Sequence, residues 1–162
     1  MNKINFYSSK ETPFGVFSNF LRGYPITLKG KTWPTSEHYY QAQKFVDTEH
    51  EDQVRLVKEP GVAADMGRDK KRPLRKDWDE VKNDIMREAI HAKFTQYQTL
   101  KDILLASGNA EIIEHTANDN YWADGGDGSG QNWLGKLLME LREQLKKEIK
   151  VETTLEKFIQ FK

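Results

Sequence analysis

The spacing of apolar and polar positions divides this chain into a short β-rich beginning and a long helical remainder. Residues 4–7 form a brief β-like run. From 25 to 33, Ile26 and Leu28 alternate with polar neighbours and Gly30 supplies a turn, so a hairpin is predicted, with Thr32 and Trp33 opening the return strand. Two strands alone are not a stable sheet. The run at 4–7 is expected to add a third, and the whole to pack on helices. Between them, SSKETPFGVFSNFLRG contains Pro13, Gly15 and Gly23 and reads as a loop. Phe14, Phe17 and Phe20 can anchor it while Ser18 and Asn19 offer hydrogen bonds, which suits a pocket wall as well as a surface loop tacked to the core.

From Pro34 onward the periodicity is helical. Thr35 and Ser36 can accept from the orphan backbone donors of a first turn, so a helix is predicted to begin there. Tyr39, Tyr40, Ala42 and Phe45, with Trp33 just ahead, leave little continuous polar face, and the helix should be buried on most sides. Helical spacing nevertheless aligns Glu37, Gln41 and Lys44. A carboxylate, an amide and an ammonium in aromatic surroundings must be paired or face a cavity. The plainer reading of Glu37 is a negative charge favoured near a helix N-terminus. Next, 49–58 reads as a charged surface helix with Val54 and Val57 inward, broken by Pro60 and Gly61, and 62–66 as a short helix ending at Gly67.

RDKKRPLRK, residues 68–76, then sets six basic residues against Asp69. It is either a solvated loop or a phosphate grip, since Arg presents a fork matching phosphate oxygens and Lys a mobile point charge. Asp77 with Glu80 predicts a capping box for a helix whose apolar stripe is Trp78, Val81, Ile85, Ala89 and Ala92, closed by Phe94. Trp78 is either core or a stacking platform beside the basic run. A short helix is expected over 100–106, while 111–116 fits a turn of helix or a strand equally well. Residues 119–132 are too rich in Gly and Asp for a regular element. They lead into an amphipathic helix with Leu134, Leu137, Leu138, Leu141 and Leu145 on one side.

Composition narrows the classes. At 162 residues the chain can form one domain with a proper core, and 25 basic against 25 acidic residues leave no net charge, which disfavours a whole-protein nucleic-acid binder. The absence of cysteine removes disulfides, thiolate nucleophiles and cysteine zinc sites. No signal-like N-terminus and no apolar run of membrane-spanning length is visible, so a cytoplasmic protein without membrane association is expected.

The glycine loop fails three familiar patterns. GxGxxG would need a glycine where Gln131 stands; GxxxxGK from Gly130 to Lys136 is followed by Leu137 instead of Ser or Thr; a calcium loop from Asp124 would need a glutamate where Gly135 stands. What survives is a backbone able to approach a ligand closely, donors at a helix start, and Asp124 and Asp127 beside Trp122. The histidines, His38, His50, His91 and His115, form no triad or zinc pattern, and no metal or cofactor is expected. Two carboxylates, Glu37 and Asp124, an indole at Trp78, a basic segment and amides at Asn19, Gln41 and Asn132 suit cleavage of a nucleotide glycosidic bond, whose oxocarbenium-like transition state wants nearby negative charge and a positioned water.

FSNF at 17–20, WPTSEHYYQAQKF at 33–45, MGRDKKRPLRKDW at 66–78 and YWADGGDGSGQNWLGKLLMELR at 121–142 together closely resemble the YbiA-like N-glycosidases of the NADAR group, over about residues 4–145. The resemblance implies an α+β, predominantly α-helical single domain over 1–150, a small N-terminal hairpin packed on a helical body, and an extension at 151–162. It also implies hydrolysis of the N-glycosidic bond in phosphoribosylamino-pyrimidine intermediates of riboflavin synthesis. By motif it assigns Glu37, Trp78 and Asp124 as functional residues; Phe17, Asn19, Gln41, Lys44, Arg68, Lys70, Trp122 and Asn132 are expected around the substrate. The partner implied is a small-molecule nucleotide, nucleic acid entering only as an ADP-ribosylated base. Rival readings are an ADP-ribosyl hydrolase and a non-catalytic nucleotide-binding module. Two departures matter: the family's WGDGG is WADGG here, so Ala123 would strain the loop if that position needed positive φ, and Trp133 stands where a smaller or basic residue is common in the family.

Overall fold

In the computed structural model, which describes residues 2–160, six α-helices and two two-stranded sheets give the expected predominantly helical α+β class. The chain forms two compact units: Phe6–Lys101, and the segments before and after it.

In the first unit, β2 (Ile26–Leu28) and β3 (Lys31–Trp33) form the predicted antiparallel hairpin, Ile26 opposite Trp33. Lys29 and Gly30 at its turn have φ of 52° and 71°, the left-handed pair that matches the twist of flanking strands. The side-chain amide of Gln96 closes a two-way bond with the backbone of Thr27, fixing the hairpin to α4 (Trp78–Gln96). α1 (Ser36–Ala42) starts where predicted: the Thr35 hydroxyl accepts from the His38 amide, and all seven helical residues are buried. Around α1 pack α2 (Glu49–Arg55), α3 (Pro60–Arg68) and α4. Core aromatics converge there, with Trp33 edge-on to Tyr39 at 5.0 Å and Phe17 edge-on to Phe6 at 5.6 Å.

Several expectations for this unit are corrected. α2 ends at Arg55, so Val54 is core but Val57 lies beyond the helix, its carbonyl meeting the His38 ring. Pro60 does not break a helix; it opens α3, where a missing N–H costs nothing. Asp77 precedes α4 without capping it through its side chain, because its carboxylate is taken by Arg75 Nε and Nη2 at 2.6 and 2.8 Å. The capping box is therefore not made. Phe20 is exposed instead of anchoring its loop, whose one regular piece is a 3₁₀ turn over Phe14–Phe17.

In the second unit, β1 (Lys3–Phe6) pairs with β4 (Glu111–Glu114), so the N-terminal run does not extend the hairpin, and 111–114 resolves as strand. α5 (Gln98–Ala106) precedes β4, and Arg142, buried in α6 (Trp133–Gln160), donates to the Ser107 hydroxyl and the Ala110 carbonyl just past its end. All five predicted leucines of α6 are buried. Gly135 lets α6 lie directly on β4: a methyl there would stand 2.1 Å from the Ile112 carbonyl oxygen. α6 passes the expected boundary at 150 without a break; Phe161 and Lys162 of the expected extension lie outside the described residues. Among the described residues no helix is long and apolar enough to cross a membrane.

Candidate functional site

Lys44, just past α1, links the polar side of that helix to Trp78. Glu37 is 8% exposed, and its Oε1 accepts from the Gln41 amide at 2.7 Å, one helical turn on. Lys44, half-buried in the 3₁₀ turn that extends α1, lies 5.6 Å from the Tyr40 ring centre and 5.5 Å from that of Trp78, and donates to the Gly67 carbonyl at 3.0 Å. Burial pushes its ammonium below the ordinary lysine value, against the pull of Glu37 and reinforced by the charge of Arg68. Tyr40 and Trp78 are themselves 5.1 Å apart, with Trp78 also 8% exposed. A carboxylate, a partly desolvated cation and two aromatic faces thus form one group.

What brings α3 this close is Gly67. A β-carbon there would fall 1.8 Å from Gln41 Oε1 and 2.6 Å from its carboxamide carbon. Gln41 Oε1 is buried with no hydrogen-bond partner, so the amide that serves Glu37 leaves its own oxygen against the glycine.

The FSNF loop supports this group from beneath. The Asn19 carbonyl accepts from the Glu37 amide at 3.3 Å, and its Oδ1 from the Ser36 hydroxyl at 2.9 Å. Phe17, expected at the substrate, is fully buried between Phe6, Phe14 and Phe94 and presents no surface to a ligand. Of the basic run, Arg68 pairs with Asp65, Arg72 reaches His50 and Gln53, and Lys70 is exposed.

In the other unit, Asp124 organises the glycine loop. Its Oδ1 accepts from the amides of Gly126 and Thr116 at 2.8 and 3.3 Å, and its Oδ2 meets His115 Nδ1 at 2.8 Å. Burial opposes its charge, but the imidazole and the two amides outweigh it and hold the carboxyl below its ordinary value. Asp124 and His115 line a cavity of about 470 Å³ with Lys3, Lys136, Gln131 and Asn132. Nothing in the sequence pattern singles out His115: it sits just past β4, and no spacing rule announces that the loop nine residues on returns to it. Asn132 spans the Ile112 carbonyl and the Glu114 amide, tying the start of α6 to β4 in a left-handed conformation, φ 51°. Trp122 is half-buried, edge-on to Tyr121.

The positive-φ positions of this loop are Gly125, Gly126, Gly128 and Asn132. Ala123 is not among them, and its methyl is fully buried, so the departure from WGDGG carries no backbone strain. Among the described residues no group of three or more His, Asp or Glu is arranged to hold a metal ion.

Comparisons with known proteins place the chain among relatives. The chain is 57% identical over 142 residues to "N-glycosidase YbiA" of Escherichia coli, covering 88% of each chain. It is 42% identical over 144 residues to a protein of Vibrio vulnificus named for riboflavin biosynthesis, covering 88% of this chain and 38% of that one. The NMR structure of E. coli YbiA superimposes with a TM-score of 0.83 at 56% identity, over 91% of this chain and 86% of that chain. The NADAR domain pattern runs from residue 5 to 146, through the α1 group and the glycine loop alike, and with identity of this degree the chain belongs to the NADAR domain family.

Proposed function

We propose that this protein hydrolyses the N-glycosidic bond of a phosphoribosylamino-pyrimidine, releasing ribose 5-phosphate and the aminopyrimidine. Support comes from the names of its relatives, an N-glycosidase in E. coli and a riboflavin biosynthesis protein in Vibrio. The observation that carries the reading is Glu37: a carboxylate buried among aromatics, held by Gln41 and placed beside a desolvated cation.

As the C1′–N bond breaks, its electron pair leaves with the nitrogen and positive charge grows on the ribose carbon. A carboxylate already fixed in a low-dielectric setting stabilises that charge without reorganising. Water then adds to C1′ and gives up a proton, while the departing amine gains one. Glu37 takes the electrostatic role and orients the water; Trp78 stacks on the pyrimidine. Lys44, Arg68 and Lys70 are assigned to the phosphate. Asp124 is the second proposed carboxylate. With its carboxyl held below the ordinary value, it stays ionised at neutral pH and acts as a fixed charge instead of a proton donor. We assign the reaction to the cytoplasm, because a phosphorylated substrate does not cross membranes unaided.

The test is release of ribose 5-phosphate from the aminopyrimidine nucleotide by purified protein with chelator present. Wild type releases it; Glu37→Gln does not, while remaining folded. A fully active Glu37→Gln protein overturns the mechanism. Faster turnover of an ADP-ribosylated guanine base in the same panel would reassign the substrate.

A further inference from the structure

Lys93 is the most anomalous interior residue of the first unit. It is 2% exposed within α4, its Nζ 5.2 Å from the centre of the Phe94 ring, and among the described residues it makes no ion pair with any carboxylate. Its one hydrogen bond there runs from Nζ to the Ser18 carbonyl at 2.8 Å. An unpaired ammonium in a core costs stability that a methionine or leucine of similar bulk would not. The bond it makes lands on the FSNF loop one residue before Asn19. Asn19 in turn accepts from the Ser36 hydroxyl and the Glu37 amide. The path from amine to catalytic turn is therefore short and made of named contacts: Lys93, the Ser18–Asn19 peptide, Ser36 and Glu37.

We propose that Lys93 is a positioning residue for Glu37, its side-chain amine fixing the Ser18–Asn19 segment against the first turn of α1 and so setting where the carboxylate stands. The proposal rests on the reading of Glu37 as the catalytic carboxylate. Past the 3₁₀ turn, the backbone bond within the loop around Asn19 runs from the Leu21 amide to the same Ser18 carbonyl at 3.2 Å, which closes the loop on itself without tying it to α4. Asn19 itself binds α4 only through a 3.3 Å contact from its amide to the Met86 sulfur, a weak acceptor. The amine of Lys93 is thus the strong polar tie between α4 and this stretch of loop.

Two substitutions separate positioning from packing. Lys93→Met keeps the bulk and removes every N–H; Lys93→Gln restores a neutral donor. The expected result is a kcat lowered ~10- to 100-fold in the Met variant with KM changed less than ~3-fold, and partial recovery in the Gln variant. Glu37→Gln in the same assay sets the floor. A Met variant that folds and turns over at the wild-type rate overturns the proposal, as does a Gln variant no better than the Met one. If the wild type itself releases no sugar phosphate, the reading of Glu37 has failed, and NMR decides Lys93 separately. Backbone amide resonances of Asn19 and Glu37 should be displaced in Lys93→Met and return toward wild type in Lys93→Gln; resonances that do not move overturn it. Should the Met variant not fold, the Gln variant is read alone: a rate well above the Glu37→Gln floor with Asn19 and Glu37 resonances near those of wild type supports the proposal, and a folded Gln variant whose rate lies at that floor overturns it.

Discussion

Replacing Gly67 by alanine drives a methyl group into the amide that serves Glu37. The new carbon would lie 1.8 Å from Gln41 Oε1, about 1.6 Å short of the 3.4 Å at which ordinary contact begins. Two responses are open. α3 can back away from α1, an overpacking cost of about 1–3 kcal/mol. Alternatively Gln41 can rotate, giving up its 2.7 Å charge-assisted bond to Glu37, worth roughly 1.5–3 kcal/mol. Against either stands the better helix propensity of alanine, up to about 1 kcal/mol. A net loss of ~0–2 kcal/mol against wild type is expected, together with a fall in kcat, because both responses disturb the carboxylate. Gly61→Ala is the internal control: it lies in the same helix with nothing within 4 Å of the added carbon, and should be neutral or slightly stabilising. Urea denaturation and initial-rate kinetics on the pair decide the matter. If Gly67→Ala is as stable and as active as Gly61→Ala, the close approach of α3 to Gln41 has no such role.

Other outcomes follow from the same contacts. Burial lowers the Lys93 pKa to about 7 from an ordinary 10.5, so between those values the unfolded chain holds a proton the folded one lacks. Stability should rise with pH across that window, by at most about 1.4 kcal/mol per unit, and Lys93→Met should remove the rise in pH-dependent denaturation. Asp124 has the same sense at lower pH: its stabilising bonds are intact above its ordinary value and lost as pH falls through the lowered one, so Asp124→Asn should flatten the acid limb of the stability profile. Asn132→Ala loses bonds to Ile112 and Glu114 and keeps an unfavourable positive φ, and should cost roughly 2–4 kcal/mol in chemical denaturation.

The parts of the fold that sequence could disclose are those decided by neighbours in the chain. Thr35 before an aromatic run, Lys29–Gly30 between alternating residues, and the leucines of α6 each act over a turn or two, and each stands where expected. Asp77 shows where such local reading stops: the same carboxylate could cap α4 or bind Arg75, and the fork geometry of the guanidinium wins. The partner of β1 lies more than a hundred residues away, beyond the reach of any periodicity. At the candidate site, the Glu37–Gln41–Lys44 alignment follows from helical spacing, and its meeting with Trp78 was readable only through the resemblance. His115 and Lys93 were not legible at all. A charged letter on a helix reads as solvent-facing, and only the packing of Phe17 and Phe94 reveals that Lys93 faces inward.

α6 joins two different environments along one rod. Its first turn is rooted under the glycine loop through Asn132 and Gly135, and its last buried leucine is Leu145, one residue before the family match ends. Past that point the described residues are largely exposed, Val151, Leu155 and Phe158 included. A dye, tag or surface linker attached between 150 and 158 therefore sits several helical turns from the loop it would report on, on a handle that can be gripped without disturbing the hydrophobic seam.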